Sequence, residues 1–343
     1  MDISLLSDQD RQEWMDFVAV HPDCWHYHHV GWKEVIERAY GHRCLYLLAR
    51  DKGQVTGVLP LVLIKSRLFG RSLTSLPYLD FAGLAAGDDV TRARLLQEAT
   101  ELAHSYCVGH LELRQTKTAS EDLRTDTHKV SLVLDLPSTA ERLWKSLPSE
   151  RRNRIRKAQQ AGLSVECTGQ DGVPSFYRVW TENMRDLGSP PHSREFFENI
   201  LRVFSSSALV ILVKHGRICV GAGICLYEKG TLTLPWVSSL RQYRQRYPNN
   251  ILYWEAMRLA IEKTCGVFDF GRSSVNSGTF TFKVRWGAVA RPLLWQFKFL
   301  GREPAQLPGA DDQKYRLGIA VWRMLPVGLT RLIGPALRKN ITA

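Results

Sequence analysis

Residues 267–287 read VFDFGRSSVNSGTFTFKVRWG. The opening VFDF is an apolar strand signal ending on Asp269 and Phe270, and Gly271 breaks it before Arg272, Ser273 and Ser274. An aromatic-rich segment follows and carries Lys283 and Arg285. Glycine tolerates backbone geometry that a side chain penalises, so a ligand or a second strand can come close at position 271. Charged and hydroxyl groups gathered at a strand end are what a binding or catalytic site needs. The same letters also suit a plain glycine-punctuated β connection with a solvated arginine, and the surrounding chain decides between the two.

That chain has 343 residues, more than one hydrophobic core usually organises, which predicts two domains of roughly 150 residues each. Its 44% hydrophobic and 23% charged residues describe an ordinary globular protein and exclude a disordered one. Lys and Arg number 46 against 34 Asp and Glu, and the resulting charge of +12 favours anionic partners: nucleic acid, phosphorylated substrates or an acidic membrane surface. Seven scattered cysteines without a C-x-x-C pair predict free thiols in a reducing cytoplasm. The first residues carry acids where a secretion signal needs a basic start, and no apolar run reaches the roughly 18 residues of a spanning helix, so a cytoplasmic location is expected.

Taken in order, residues 7–20 and 31–39 have helical spacing, and between them lie His26, His28 and His29. A zinc site needs a closed ligand set, so these are expected to be exposed or packed loop histidines, with no metal bound. Residues 43–65 read as two strands about an Asp51-Lys52-Gly53 turn, 72–86 as strand and loop, 88–106 as a helix capped by Asp88 or Asp89, and 109–114 and 129–136 as strands that complete the first domain. The second half repeats this order with helices at 173–186 and 193–204, three strands, a helix at 249–264 and the strand GVFDF. LLARDKGQVTG and ILVKHGRICVG share an apolar strand, a basic residue, a glycine turn and a strand broken by Gly57 or Gly221. In the strand at 218–226, Ile218, Val220, Ala222, Ile224 and Leu226 fall on a bulky face and Cys219, Gly221, Gly223 and Cys225 on a nearly bare one, which suits a packed helix or a ligand chain.

Between the halves, ERRNRIRKAQQAGLSVE predicts a helix capped by Ser149 and ended by Gly162. Its five basic residues, Arg151, Arg152, Arg154, Arg156 and Lys157, leave only Ile155 and Ala158 as an apolar stripe, which fits either a solvated helix or one that faces phosphates. The tail from Tyr315 alternates Trp322, Leu325, Leu329, Leu332 and Leu337 with basic residues, and Pro326 and Pro335 divide it into short helices. It suits docking on the protein body or lying on an anionic bilayer.

Together, ERRNRIRKAQQAGLSVE, MRDLGSPPHSREFF, PNNILYWEAM and FDFGRSSVNSGTFTFKVRWG resemble FemAB-like proteins, relatives of the peptidoglycan interpeptide-bridge aminoacyltransferases in the GNAT superfamily. The likeness is greatest to the group associated with exosortase and PEP-CTERM systems, whose loci also make exopolysaccharide. It implies an α/β fold of two tandem GNAT-like domains, here 1–140 and 141–300 with an amphipathic tail at 301–343.

The implied activity is transfer of an acyl or aminoacyl group to an amine on an anionic cell-envelope or exopolysaccharide precursor. Aminoacyl-tRNA or acyl-CoA would be the donor, with no tightly bound cofactor. The family's phenylalanine-lysine pair falls on Phe282 and Lys283. A fixed ammonium at Lys283 would stabilise the oxyanion that aminolysis builds. Asp269 is the second implied catalytic residue, orienting Arg272 or taking a proton. Arg272, Ser273, Phe282, Arg285, Trp286, Tyr253, Asn250, Arg152 and Arg156 form the implied substrate-binding set.

Two departures bear on the donor. The segment SSLRQYRQRYPNN has no glycine where an acetyl-CoA-binding turn would offer backbone N–H groups, and no long helical-hairpin arm is present to handle tRNA. An acyl-CoA-dependent N-acetyltransferase and a non-catalytic basic module for RNA or anionic lipid are the competing readings. Residues 315–343 are the expected membrane contact.

Overall fold

Alternating apolar strands assemble two mixed sheets in the computed structural model, which describes residues 1–66, 69–117, 120–301 and 313–342. In chain order the elements begin with β1 (Asp2–Leu5), α1 (Arg11–Val20), α2 (Gly31–Tyr40), β2 (Arg43–Asp51), β3 (Gln54–Ser66), β4 (Gly70–Ser75), β5 (Ala85–Ala86), α3 (Asp89–Ser105), β6 (His110–Gln115) and β7 (Arg124–Asp126). They continue with β8 (Lys129–Asp135), α4 (Ala140–Ser146), α5 (Ser149–Gln160), β9 (Leu163–Thr168), α6 (Val173–Leu187), α7 (Arg194–Val203), β10 (Ala208–His215), β11 (Ile218–Glu228) and β12 (Thr231–Ser239). The last are α8 (Pro248–Glu262), β13 (Val267–Ser274), α9 (Gly278–Val284), β14 (Val289–Pro292), β15 (Leu294–Phe299), α10 (Gln313–Met324) and α11 (Val327–Arg338).

The first sheet runs β1-β2-β3-β4-β6-β15-β7, with β5 added to β3. Its β4 and β6 are parallel, and α3 makes the crossover between them that parallel strands require. Asp88 starts α3 by accepting a 2.7 Å hydrogen bond from the Thr91 N–H, and Thr91, Leu95, Ala99 and Ala103 then recur on its buried face. The second sheet runs β14-β8-β13-β12-β11-β10-β9, and α8 crosses between the parallel strands β12 and β13. Pro248 opens α8 where its missing N–H costs nothing. Ten of the helix's 15 residues are buried, so α8 is a core element and not a surface helix.

The internal repeat is real. Hairpins β2–β3 and β10–β11 turn through two residues, and each carries a register shift at the same distance from its turn, between Ala49 and Arg50 and between Val213 and Lys214. Gly57 pairs with Ala49 and Gly221 with Val213, so the two glycines of the sequence repeat occupy equivalent positions. A Cβ on Gly57 would strike Leu95 and Thr91 of α3 at 2.8 Å, and one on Gly221 would sit 3.3 Å from Pro248 of α8. The bare face of β11 therefore serves helix packing. The shift also breaks the strict alternation expected of residues 218–226, since Val220 joins Cys225 in the core around α8.

Several boundaries differ from those expected. The chain does not divide at a single cut: the first unit draws on the spans 1–129, 292–307 and 339–343, and the second on 130–291 and 308–338. KVSLVLDL, expected to complete the first domain, is β8 and hydrogen-bonds between β13 and β14 in the second sheet. Ser149 is the first residue of α5 and caps nothing. Strand β13 does not end at Gly271 but passes through it to Ser274, and the aromatic-rich segment after it is helical, with Ser277 capping α9 through a 3.1 Å bond from Phe280 N–H. Pro326 divides the tail as expected, whereas Pro335 sits inside the last turn of α11, where one lost backbone bond is tolerated. Within the tail, residues 302–312 lie outside the described residues.

The histidine segment is a packed loop. His28 accepts from Trp25 N–H through Nδ1 at 3.1 Å and donates from Nε2 to the Gly83 carbonyl at 3.0 Å. Burial pushes His26 down to about 3 and His29 to about 4. Among the described residues no group of three His, Cys, Asp or Glu side chains is arranged to hold a metal.

Candidate active site

Strands β12 and β13 pair only over Thr231–Thr233 and Val267–Asp269, and beyond that point each continues without the other. The fork opens at the carboxyl ends of two parallel strands, the usual place for a ligand in such a sheet. The chain leaves β12 through a short 3-10 turn at Arg241–Arg246 and reverses at Tyr247 with φ of 58°. It then starts α8 at the same edge, so the positive end of that helix adjoins the fork.

Gly271 organises the fork. Its φ of 76° is left-handed, a conformation that favours glycine. The Gly271 N–H donates to Asp269 Oδ1 at 2.8 Å, and the Ser131 hydroxyl donates to the same oxygen at 2.6 Å. From the other side, Lys283 Nζ donates to the Gly271 carbonyl at 2.8 Å and to the Arg272 carbonyl at 2.9 Å. The two implied catalytic residues are thus held on the two backbone groups of one glycine. Both are buried, so charge at the fork acts with little screening by water.

An aromatic wall stands beside this clasp. Tyr253 of α8 lies 5.2 Å from Phe270, 5.5 Å from Phe282 and 6.2 Å from Trp286, ring centre to ring centre. Burial alone pushes the Tyr253 phenol well above its usual range. Against the wall lies Arg151, fully buried at 0% exposure, its guanidinium 5.7 Å from the Phe282 ring and 5.9 Å from that of Trp286. Arg151 Nη2 is 3.0 Å from the Glu150 carboxylate, an ion pair by distance, although no guanidinium nitrogen has a well-aligned hydrogen-bond acceptor. Arg154 pairs with the other Glu150 oxygen at 2.6 Å. The Arg151 contact, with the charges of Arg151, Arg154 and Arg285, holds this exposed carboxyl below its usual range. Three guanidinium groups around one carboxylate form a natural seat for an anion.

The expected residues therefore divide. Asp269, Lys283, Phe282, Trp286 and Tyr253 come together, and Arg285 reaches the Glu150 cluster. Asn250 is buried in the first turn of α8, its Nδ2 without a hydrogen-bond partner, and Ser273 Oγ is likewise buried and unpartnered. Arg272 turns toward His192, whose imidazole is held far below its usual range by burial first and then by the charges of Arg338 and Arg272. Asp269 Oδ1 is engaged by the Ser131 hydroxyl and the Gly271 N–H. Arg156 is not at the fork but lies over the Trp144 ring at 5.3 Å, and Arg152 is half-buried with its Nε lacking a hydrogen-bond partner.

Arg151 and Ser131 were missed in the sequence. Arg151 was legible, since 151, 155 and 158 share one helical face and Ile155 and Ala158 mark that face as buried. Ser131 carries no such signal, because its role depends on β8 lying next to β13.

Known proteins share this architecture. The family model described as acetyltransferase (GNAT) domain matches residues 149–284, from the first residue of α5 to the last of α9. The crystal structure of FemX superposes with a TM-score of 0.67 at 16% identity, covering 86% of this chain and 97% of that one. A tandem GNAT protein from the clavulanic acid biosynthesis pathway gives 0.58 at 13%, covering 88% and 99%. L-PGS from Bacillus licheniformis gives 0.57 at 10%, covering 96% and 98%. No curated protein sequence matches the chain significantly. The chain has the mixed α/β fold of tandem GNAT-like proteins, and its residues 149–284 carry the sequence pattern of a GNAT domain.

Proposed function

We propose that the second unit is an N-acyltransferase centre, and that its acceptor is an amine on an anionic cell-envelope or exopolysaccharide precursor. The observation that carries this reading is the β12–β13 fork with Lys283 and Asp269 clasped on Gly271 at its mouth. In the proposed reaction the acceptor nitrogen attacks the donor carbonyl carbon, and the carbonyl oxygen gains negative charge. The Lys283 ammonium, already oriented by two backbone carbonyls, stabilises that charge. Collapse breaks the ester or thioester bond, and the leaving alcohol or thiol takes up the proton that the amine loses. Asp269, fixed by Ser131 and Gly271, keeps the fork in shape. Arg151, Arg154 and Arg285 would hold a donor or acceptor phosphate in the position that Glu150 now occupies.

The likeness of fold to FemX and L-PGS supports acyl transfer, and the anionic acceptor is proposed from the chain's charge of +12. The family match to an acetyltransferase domain favours a second reading, with acetyl-CoA as donor. Residues 240–247 contain no glycine, so a pyrophosphate there would be bound by Arg241 and Arg244, both exposed, more than by a backbone nest.

The test supplies the purified chain with labelled aminoacyl-tRNA or labelled acyl-CoA, together with amine-bearing anionic precursors. Label reaching the acceptor from one donor identifies it. Transfer from neither donor, with salt-dependent RNA binding retained, overturns the enzyme reading in favour of a binding module.

A further inference from the structure

Helices α10 and α11 each use one face to dock on α6. Ile319 packs against Gly188, Arg323 Nη2 donates to the Leu187 carbonyl at 3.3 Å, and Arg185 Nη1 donates to the Leu325 carbonyl at 3.2 Å. From α11, Gly334 meets Pro191 and Arg331 Nη2 donates to the Thr181 hydroxyl at 3.2 Å, while Thr330 is fully buried. Docking on the protein body, one of the two expectations for this tail, is thus satisfied by these residues. It does not account for the opposite face.

That opposite face is apolar. Leu317, Val321 and Met324 recur at i, i+4 and i+7 on α10, and Leu329, Leu332 and Ile333 share one side of α11. Leu317 is 76% exposed, Met324 84% and Leu332 78%. Across the described residues, large exposed apolar side chains are otherwise scattered singly along the chain, whereas these six fall between positions 317 and 333. Exposed apolar side chains gathered on one segment mark an interaction surface.

The charge pattern selects the partner. Residues 313–342 contain Lys314, Arg316, Arg323, Arg331, Arg338 and Lys339 and no Asp or Glu. Arg323, Arg331 and Arg338 hydrogen-bond to the protein body, whereas Arg316 and Lys339 are exposed, and with no carboxylate among residues 313–342 a second copy meeting this face through a two-fold axis would set like charge against like charge. An anionic bilayer offers apolar chains under a negative surface and complements both properties. Each helix has 12 residues, and no described helix is long and apolar enough to cross a membrane, so the pair would lie along the surface.

We propose that the outer face of α10 and α11 docks the protein on an anionic lipid surface, with Leu317, Val321, Met324, Leu329, Leu332 and Ile333 entering the interface. The inference stands apart from the acyl-transfer reading, because none of these residues touches the fork.

The test is co-sedimentation of the full chain with phosphatidylcholine vesicles that contain or lack phosphatidylglycerol. Binding is expected only to the anionic vesicles, falling as salt is raised. The Met324→Glu/Leu332→Glu double variant should lower the partition coefficient at least tenfold and leave the thermal midpoint unchanged, since both side chains face solvent. Absence of binding to anionic vesicles at low salt overturns the proposal, as does unweakened binding by the variant. A concentration-dependent dimer that the same double variant abolishes, without vesicle binding, assigns the face to a second copy and equally overturns it.

Discussion

In the first unit β4 and β6 stay in register over Ser72 and His110, Leu73 and Leu111, and Thr74 and Glu112; in the second, β12 and β13 do so over Thr231 and Val267, Leu232 and Phe268, and Thr233 and Asp269. Both pairs run for three residues and end on a threonine opposite a carboxylate. Two residues further on they differ. The first unit has Arg114, fully buried, whose Nε meets Glu112 at 2.9 Å while its Nη1 and Nη2 donate to the carbonyls of Leu79 and Thr342. Its guanidinium stacks 4.1 Å from the Trp295 ring centre, and its backbone N–H donates to the Ser75 hydroxyl. The second unit has Gly271, and no side chain enters from that position. One fork is plugged with a paired arginine and the other is left to Lys283 and Asp269. The two copies of the frame differ in what stands two residues past the last strand pair, a paired arginine in one and a glycine in the other.

The contrast is most directly broken at the plug. Arg114→Ala should destabilise the first unit by about 3–5 kcal/mol, since it strands the buried Glu112 carboxylate, and urea denaturation will measure the loss. A smaller cost would mean that water fills the first fork as easily as the second. Lys283→Ala should lower turnover by about 10²–10³-fold, worth about 3–4 kcal/mol of barrier, as the loss of one oxyanion donor does. Its thermal midpoint should be followed in parallel, because Lys283 also ties α9 to β13. Unchanged turnover would leave that tie as its whole role.

Acid should act on the first unit through His26. Burial lowers its folded pKa from 6.5 to about 3, so the unfolded chain binds the proton more readily. The stability this represents is intact above about pH 6.5 and is lost as pH falls toward 3, at about 1.4 kcal/mol per pH unit. His26→Phe should flatten that slope in acid denaturation curves. Arg151→Met sharpens the contrast between the two buried arginines. Because Arg151 lacks the aligned acceptors that Arg114 has, the variant should keep or gain stability while, if the proposed phosphate seat is used, KM for the phosphate-bearing substrate rises about tenfold. The smallest effect is expected from Ser131→Ala, about 1 kcal/mol for one hydrogen bond to Asp269, read as a shift in the denaturation midpoint.

Much of the frame was legible in the sequence because it is local. Hydrophobic alternation, the cap at Asp88 and the paired glycines at 57 and 221 fixed the hairpins and crossover helices, and the repeated LLARDKGQVTG and ILVKHGRICVG turned out to match down to the register shift. The stretch at 267–287 held the two residues, Lys283 and Asp269, that meet on the backbone of Gly271. What escaped depended on partners far away in the chain. The parity of Val220 changes at a shift in register that no single strand declares, and Ser131 matters only because β8 joins the second sheet. Arg152 and Arg156 were chosen for their charge, when the apolar spacing of the same helix pointed to Arg151.

The position of β15 has a consequence for synthesis. This strand inserts between β6 and β7, pairing Leu294–Phe299 with His110–Gln115 on one side and Trp295–Phe297 with Arg124–Asp126 on the other. A ribosome reaches it only after making the whole of residues 130–291, on the order of ten seconds or more after β7 at ordinary elongation rates. Thr342, an acceptor for buried Arg114, emerges later still. The unit that is begun first is completed last, and in the interval the nascent chain carries an open strand edge at β6 that only its own later residues can cover.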